Sequence, residues 1–153
     1  LVDVPPPQAV HDGEVLVRVR ATGICGSDLH VDDWTPSYAF ITPSLPVTLG
    51  HEFVGVVHSE PNTAPPFTLN LSKGSSEQGQ PFALSLSKGQ RVVVRPSVTC
   101  GACAHCKAER FDACERRTGV GMTRDGAFAS WVAVPARNCD HNWQTCLAPG
   151  WRY

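Results

Sequence analysis

The chain has 153 residues, of which 42% are hydrophobic and 18% charged, and its formal net charge is -1 at pH 7. This length fits one compact domain of ordinary size. A nearly neutral chain lacks the basic excess that attracts nucleic acids and anionic membranes, so neither is expected as a partner. No stretch approaches the ~20 apolar residues of a membrane span and the first residues do not resemble a signal peptide, which predicts a cytoplasmic protein.

The predicted secondary structure is mainly β with short helices. Alternating, β-branched and aromatic runs predict strands at 14–20, 53–57, 91–94 and 128–134. Helical periodicity is weak, and the best short helix begins at Ser27 or Asp28, either of which could cap it. The 13 prolines leave little room for long helices.

One mixed set of candidate metal ligands lies between the first two predicted strands. Cys25 follows the first strand, and His51 and Glu52 lead into the second. Zinc accepts thiolate, imidazole and carboxylate ligands, and three ligands leave a position for water or substrate. Taken singly, each residue also has an ordinary explanation as a buried or surface side chain, so spacing alone leaves both interpretations open.

A direct repeat follows the second predicted strand. Residues 66–74 recur almost unchanged as 81–89. Two copies are too few for a solenoid, which needs about three units. The repeat therefore predicts an inserted surface loop at about 61–88 that carries no chemistry, since surface loops absorb extra length at modest entropic cost.

Four cysteines are packed into fifteen positions: Cys100, Cys103, Cys106 and Cys114. Two-residue gaps let successive thiolates turn back onto one ion, and four sulfurs complete a tetrahedral zinc site with no place for substrate. The alternative is an iron–sulfur cluster, but the bacterial ferredoxin run ends with a gap of three and a proline, whereas here the gap is seven and Glu115 follows. His105 is an alternative ligand that the four cysteines make unnecessary.

Taken together and in this order, the motifs resemble the N-terminal catalytic domain of the zinc-containing medium-chain alcohol dehydrogenases. The matching segments are Gly-Ile-Cys-Gly-Ser-Asp-Leu-His at 23–30, Gly-His-Glu at 50–52 with Gly55, the four-cysteine spacing, Asp-Gly-Ala-Phe-Ala at 125–129 and Val-Pro-Ala-Arg-Asn at 134–138. Asp-Asp-Trp at 32–34 and Thr-Gly-Val-Gly at 118–121 are similar to the threonine and polyol dehydrogenase branch. The resemblance implies a GroES-like β-barrel with a zinc-binding lobe over residues 1–139.

The resemblance also implies two zinc ions, one catalytic and one structural. Cys25 and His51 match the family's catalytic zinc ligands, and Glu52 matches a carboxylate that binds the zinc or lies beside it. Asp28 resembles the carboxylate that orients the ligating histidine, a role that metal sites commonly require. The four clustered cysteines match the structural site.

The catalytic roles that the resemblance implies fall on Ser27 and His30. Ser27 matches the hydroxyl that takes the proton of the substrate, and His30 matches the distal member of the proton relay. Zinc would lower the pKa of a small-molecule alcohol, the two residues would pass its proton to solvent, and hydride would go to NAD or NADP.

The sequence departs from the family where the cofactor should bind. The glycine pattern at 119–126 has Arg124 in place of the third glycine and has no βαβ unit around it, so no Rossmann domain is expected within this chain. Because the chain also lacks an initiator Met, we expect a fragment that is inactive by itself and that forms a homo-oligomer only with a cofactor domain. The resemblance ends after about Cys139, and both the tail at 140–153 and the repeat have the pattern expected of a shifted reading frame.

The sequence thus predicts the catalytic zinc domain of an NAD(P)-linked enzyme that oxidises a secondary alcohol, polyol or threonine-like. The alternative is a non-catalytic zinc-stabilised β module, either a degenerate remnant or a binding domain. A zinc-ribbon nucleic-acid binder is disfavoured, because acidic residues offset the basic ones around the cysteines. The identity of the alcohol and the choice between NAD and NADP stay open.

Overall fold

The computed structural model describes residue 7 and residues 13–58 and 86–141. These residues form, in chain order, β1 (Glu14–Gly23), α1 (Gly26–Asp32), a 3-10 helix (Pro36–Ser44), β2 (Glu52–Val57), β3 (Arg91–Val94), β4 (Ser97–Val98), α2 (Ala104–Lys107), a 3-10 helix (Phe111–Ala113), β5 (Thr118–Gly119), β6 (Trp131–Pro135), a 3-10 helix (Ala136–Asn138) and β7 (Cys139–Asp140). The prediction of a mainly β chain with short helices is confirmed.

Five strands make one antiparallel sheet in the order β6-β1-β2-β3-β7, and β4 pairs with β5 in a second, two-stranded sheet. Val15 and Val17 of β1 are completely buried, while Arg18 and Arg20 are exposed. The alternation that predicted a strand at 14–20 therefore corresponds to one buried and one exposed face of β1. Buried valines from β2, β3 and β6 complete the hydrophobic core.

The pairing of β1 with β2 is irregular near its middle. Val19 lies opposite Gly55, but Ala21 lies opposite Val54, so one residue of β1 is left over between these pairs. Such a bulge shifts the register of the residues that follow it by one position relative to the partner strand. As a result Gly23 lies opposite Glu52, at the edge where the candidate ligands meet.

Several elements differ from the prediction, which also lacks the short strands β4, β5 and β7 and the helix α2. The last long strand begins at Trp131 rather than at 128, because the backbone N–H groups of Ala127 and Phe128 donate to the carbonyls of Gly50 and Leu49, at 2.8 and 2.9 Å. The 3-10 helix from Pro36 to Ser44 has no counterpart in the prediction. Its first position is a proline, which suits a helix start because the missing N–H has no partner to lose there.

The strands β2 and β3 are tied together at the ends of the segment that joins them. The Gly89 N–H donates to the Val57 carbonyl at 2.8 Å, and the Val57 N–H donates to the Gln90 carbonyl at 2.9 Å. The predicted insertion at about 61–88 and the tail at 140–153 lie outside the described residues, apart from 86–88, 140 and 141. Among the described residues, no helix is long and apolar enough to cross a membrane.

Candidate metal centres

The mixed ligand set comes together at the edge of the sheet. The Cys25 sulfur, a ring nitrogen of His51 and a carboxylate oxygen of Glu52 all lie within 4.8 Å of one another. Cys25 stands between β1 and α1, and the other two residues open β2. Cys25 and His51 are half-buried and Glu52 is exposed, so a metal ion held by all three would remain open to solvent on one side.

A buried carboxylate supports two of these three residues. Asp28 is only 3% exposed, and its Oδ2 accepts the Cys25 N–H at 2.9 Å. Its Oδ1 faces the buried His51 Nδ1 at 3.3 Å and the Gly50 N–H at 3.4 Å. Since Nδ1 faces the carboxylate, Nε2 is the nitrogen left for a metal ion.

A second loop fixes the segment before His51. The Asp125 carboxylate accepts the Thr48 N–H at 2.8 Å, and the Gly126 N–H donates to the Thr48 carbonyl at 2.8 Å. A Cβ atom added to Gly126 would collide with the carbonyl oxygens of Leu49 and Gly50. The Asp-Gly-Ala-Phe segment that contributed to the family resemblance therefore supports the backbone from which His51 projects.

The structure brings Ser27 to this site but directs the His30 ring elsewhere. The Ser27 Oγ lies 3.2 Å from His51 Nε2. The exposed His30 places its Nδ1 3.3 Å from Thr35 Oγ1 and stacks on Tyr38, with ring centroids 5.6 Å apart. Thr35 and Tyr38 were missed in the sequence, because nothing in the pattern after α1 shows that the chain turns back onto His30.

The four clustered cysteines form a second ligand set in the lobe between β4 and β5. Their sulfurs lie within 4.8 Å of one another, with 3.9 Å between those of Cys100 and Cys106. Backbone N–H groups point at the sulfurs: Cys103 donates to Cys100 at 3.4 Å and Cys106 to Cys103 at 3.4 Å. His105 lies instead against Arg110 and Glu115, at 3.0 and 3.9 Å.

The surroundings divide these thiols into easily and poorly ionised ones. Hydrogen bonds from the backbone of Ala102 and Cys103 lower the pKa of Cys100 to about 5. Burial raises the pKa of Cys106 to about 12. The neighbouring Cys100 sulfur raises the pKa of the Arg116 guanidinium.

Both ligand sets fit zinc by the chemistry of their donor atoms. Four sulfurs form a closed site that suits a structural ion. Sulfur, nitrogen and carboxylate oxygen from Cys25, His51 and Glu52 suit an ion with an open position, and the carboxylate of Asp28 beside His51 is the outer partner that such sites use.

The glycine pattern at 119–126 has a structural role. Arg124, which occupies the position of the third glycine, donates from Nη2 to Glu14 Oε1 at 2.5 Å and to the Ala133 carbonyl at 3.0 Å. It thereby connects β1, β6 and the turn that follows β5. The pattern lies between the strands β5 and β6, whereas a dinucleotide-binding glycine turn lies at the start of a helix.

Comparison with known proteins places this fold in one class. The family described as alcohol dehydrogenase GroES-like domain matches residues 11–141. The chain therefore belongs to the zinc-containing medium-chain alcohol dehydrogenase family, through its GroES-like domain, and its relatives lie in the threonine and polyol branch.

Particular relatives show how much of such an enzyme the chain spans. It is 36% identical to L-threonine 3-dehydrogenase of Chromobacterium violaceum over 138 residues, which are 90% of this chain and 34% of the relative. The alcohol dehydrogenase of Aeropyrum pernix superposes with a TM-score of 0.69 at 29% identity, over 91% of this chain and 35% of that one. A cobalt- and zinc-bound alcohol dehydrogenase of Pyrobaculum aerophilum gives 0.62 at 27% identity, over 90% and 35%. The chain thus spans about a third of the length of these proteins.

Proposed function

We propose that this chain is the catalytic zinc domain of an oxidoreductase that oxidises a small secondary alcohol, polyol or threonine-like, with NAD or NADP. The observation that carries the proposal is the convergence of Cys25, His51 and Glu52 within 4.8 Å, with the Ser27 hydroxyl 3.2 Å from the histidine. Membership of the dehydrogenase family supports the choice of chemistry.

Two separate groups of residues would each bind one zinc ion. Cys25, His51 and Glu52 would hold the catalytic zinc ion, and the four clustered cysteines would hold the structural one. When bound, the catalytic ion supplies a Lewis acid that lowers the pKa of the alcohol. Asp28 keeps His51 in the tautomer that binds through Nε2, because a carboxylate beside Nδ1 favours a proton on that nitrogen.

Ser27 and His30 would handle the proton that leaves the alcohol. Ser27 is within hydrogen-bond reach of a ligand residue, so its hydroxyl lies where a substrate oxygen at the open position could donate to it. His30 is exposed, and Thr35 and Tyr38 hold its ring at the surface, where it can exchange a proton with water. The passage of the proton between the two residues is part of the proposal.

Hydride transfer requires a part of the enzyme beyond this domain. We place the GroES-like domain at residues 1–139, with an insertion at about 61–88 and a tail at 140–153. NAD or NADP would bind a further domain of the kind that accounts for the remaining two thirds of the relatives. The complete enzyme would be cytoplasmic, and its homo-oligomer would depend on that further domain.

The first experiment measures the zinc content of the purified chain. Two ions per chain are expected for the wild type and one for Cys25→Ser, whereas Cys139→Ala, a buried cysteine outside both ligand sets, should keep two. One ion in the wild type, unchanged in Cys25→Ser, would support a zinc-stabilised module without a catalytic site.

The second experiment tests the reaction. Residues 1–141 are joined to the remaining two thirds of the Chromobacterium relative, and formation of NADH or NADPH is followed with L-threonine and with small polyols. The joined protein is expected to turn over at least one of them, Cys25→Ser to abolish turnover, and residues 1–153 alone to show none. Turnover that survives Cys25→Ser would contradict the proposal.

A further inference from the structure

The three members of the mixed ligand set are held by different means. The Asp28 carboxylate contacts both the Cys25 N–H and the His51 ring. Glu52 is exposed, and among the residues that the structure describes none donates a hydrogen bond to its carboxylate or pairs with it. The shape of the surroundings is therefore what remains to place the Glu52 carboxylate beside the other two ligands.

Gly23 is the residue against which the Glu52 side chain lies. A Cβ atom placed on Gly23 would come within 3.1 Å of Glu52 Oε2, closer than the 3.4 Å at which ordinary contacts begin. The same Cβ atom would lie 3.6 Å from Glu52 Cβ and 3.7 Å from the Glu52 carbonyl oxygen, which are ordinary distances. The end of the Glu52 side chain thus lies in space that a Cβ atom at position 23 would take up.

The bulge in β1 brings a glycine to this place. Val19 lies opposite Gly55, and a regular antiparallel pairing continued from there would set Thr22 opposite Glu52. Because the bulge adds one residue to β1, Gly23 lies opposite Glu52 instead. The β-branched Thr22 then contacts only the backbone of its neighbour across the strands, since its Oγ1 donates to the Glu52 carbonyl at 3.3 Å.

The backbone of Gly23 gives no separate reason for a glycine. Gly50 and Gly121 have φ values of 92° and 75°, which favour glycine, whereas the φ of Gly23 is not positive. Alanine fits such a backbone without strain and stabilises a protein there, because it restricts the unfolded chain. The strand alone would be more stable with alanine, so the glycine points to the carboxylate beside it.

We propose that Gly23 is a positioning residue for the mixed ligand set: its missing side chain leaves room for the Glu52 carboxylate to bind the metal ion beside Cys25 and His51. This inference rests on the proposed function, since it concerns the same metal centre. Three protein ligands leave one position for the alcohol at a tetrahedral zinc ion, whereas two would admit a water molecule as well. Gly23 would thereby set the number of positions that are open at the metal.

The test measures zinc affinity at the mixed ligand set by competition with a chelator of known affinity, in the wild-type chain and in Gly23→Ala. The variant should bind zinc there about tenfold more weakly or worse, the loss typical when a partner that orients a metal ligand is removed. The four-cysteine site should keep its affinity. The backbone amide resonances of β2 and β3 should stay in place, because only the end of an exposed side chain has to move.

Further variants show whether Gly23 acts through Glu52. Glu52→Ala should weaken zinc binding at the mixed ligand set at least as much as Gly23→Ala does. When both changes are combined, the affinity should equal that of Glu52→Ala within about twofold, because the alanine at position 23 then has no carboxylate to displace. Gly26→Ala, on the other side of Cys25, adds the same methyl group where it meets nothing within 4 Å and should leave the zinc affinity unchanged.

Three results would overturn this inference and leave the proposed function intact. The first is native zinc affinity in Gly23→Ala. The second is a full further loss when Gly23→Ala is added to Glu52→Ala, because the glycine would then act through the backbone. The third is a shift of amide resonances throughout β2, or an unfolded variant, because the alanine would then move more than one side chain. A wild-type chain without an ion at the mixed ligand set would instead overturn both proposals, and the zinc content of the wild type and of Cys25→Ser identifies that case.

Discussion

Asp28 connects two segments of the chain that are separated by 22 residues. One oxygen accepts the backbone N–H of Cys25, and the other faces Gly50 and the ring of His51. A carboxylate in this position fixes the ring orientation of a ligating histidine and increases its basicity. Its buried charge therefore bears directly on how tightly the mixed ligand set holds a metal ion.

Replacing Asp28 by Asn should weaken zinc binding at the mixed set by about 10–100-fold, because the amide keeps the shape but loses the charge that supports the imidazole. The four-cysteine site should keep its ion. Competitive titration with a chelator of known affinity measures both sites. Asp32→Asn, an exposed change in the same helix, should leave both affinities unchanged, and native affinity in Asp28→Asn would contradict the role given to this carboxylate.

The cysteines of the lobe should differ in reactivity immediately after a chelator removes the metal, before the lobe loses its order. At pH 6.5 Cys100, with a pKa lowered to about 5, is above its pKa and is a thiolate, whereas Cys106, with a pKa raised to about 12, stays protonated. Since the thiolate is the reactive form, iodoacetamide should label Cys100 first and Cys106 late. Cys139, buried and with a pKa also near 12, serves as a slow reference. Mass spectrometry of peptides gives the order, and early labelling of Cys106 would disprove it.

At the scale of single residues, the sequence predicts the types of metal ligand but not all of the side chains that contact the residues of interest. Short motifs are enough to identify Cys25, His51 and the four cysteines as candidates, because metal ligands need particular atoms at close spacing. The supports for Arg124 and His30 come from residues that fold back onto them, Glu14 across 110 positions and Tyr38 through a stacked ring. No local sequence pattern predicts such contacts.

The turn at 121–126 and the segment before His51 approach each other backbone to backbone, beside the Asp125 contact described above. The turn at 121–126 and the segment 48–50 approach so closely that glycines are required at the contact. Gly121 adopts a φ of 75°, which favours glycine, and its N–H donates to the Arg124 carbonyl at 2.8 Å. The position of His51 thus depends on a loop that is distant in sequence.

Gly126→Ala should destabilise the domain by about 1–3 kcal/mol, because a methyl group would be forced against the carbonyls of Leu49 and Gly50. It should also weaken zinc binding at the mixed set, since the shifted segment carries His51. Urea denaturation of the zinc-loaded chain measures the first effect and chelator competition the second. Gly26→Ala is the matched control, because a Cβ there meets nothing within 4 Å, and an equal loss in the control would refute the steric argument.

The longer strands were predictable, whereas the short strands β4, β5 and β7 and the 3-10 helices were not. Strands β1, β2 and β3 follow from alternating or β-branched residues, whose burial decides their conformation. α1 begins at Gly26, one or two residues before the predicted start, and Cys25 precedes it in an extended conformation as the N-cap residue. The late start of β6 could not be foreseen, because it depends on the hydrogen bonds that residues 127 and 128 make to another loop.

At the scale of the whole molecule, the sheet and the zinc lobe are stabilised by different means. The buried core is built from the strands and contains none of the four lobe cysteines. The lobe, between β4 and β5, has only short helices and a cluster of thiols. Segments with so little apolar burial depend on the bound ion for their order.

Cys103→Ser should therefore remove one zinc ion and the order of the lobe, while the five-stranded sheet stays folded. Amide hydrogen exchange is expected to accelerate between residues 100 and 117 and to remain slow in β1, β2 and β3. Ser27→Ala, which touches no lobe residue, should leave exchange in the lobe unchanged. Cooperative loss of the whole sheet in Cys103→Ser would show that the ion stabilises the entire domain.

The sequence did not predict which strands pair with one another. A mainly β class follows from the number of short apolar runs, but nothing local shows that β1 lies between β6 and β2. That arrangement depends on contacts between residues far apart in the chain, and the valines that make them resemble one another closely. The family resemblance predicted the barrel, whereas the residue patterns predicted only individual strands.

The bulge in β1 has a practical consequence for preparing the protein. A slip of β1 by one residue against β2 could keep the strands paired, but it would turn Val15 and Val17 away from the core, move Gly23 away from Glu52 and part Cys25 from His51. Circular dichroism would not distinguish the slipped chain from the native one. A cobalt(II) ion at the mixed set would, and because the four cysteines would also bind cobalt(II), the part of the absorption that Cys25→Ser loses is the part that reports the native register during refolding.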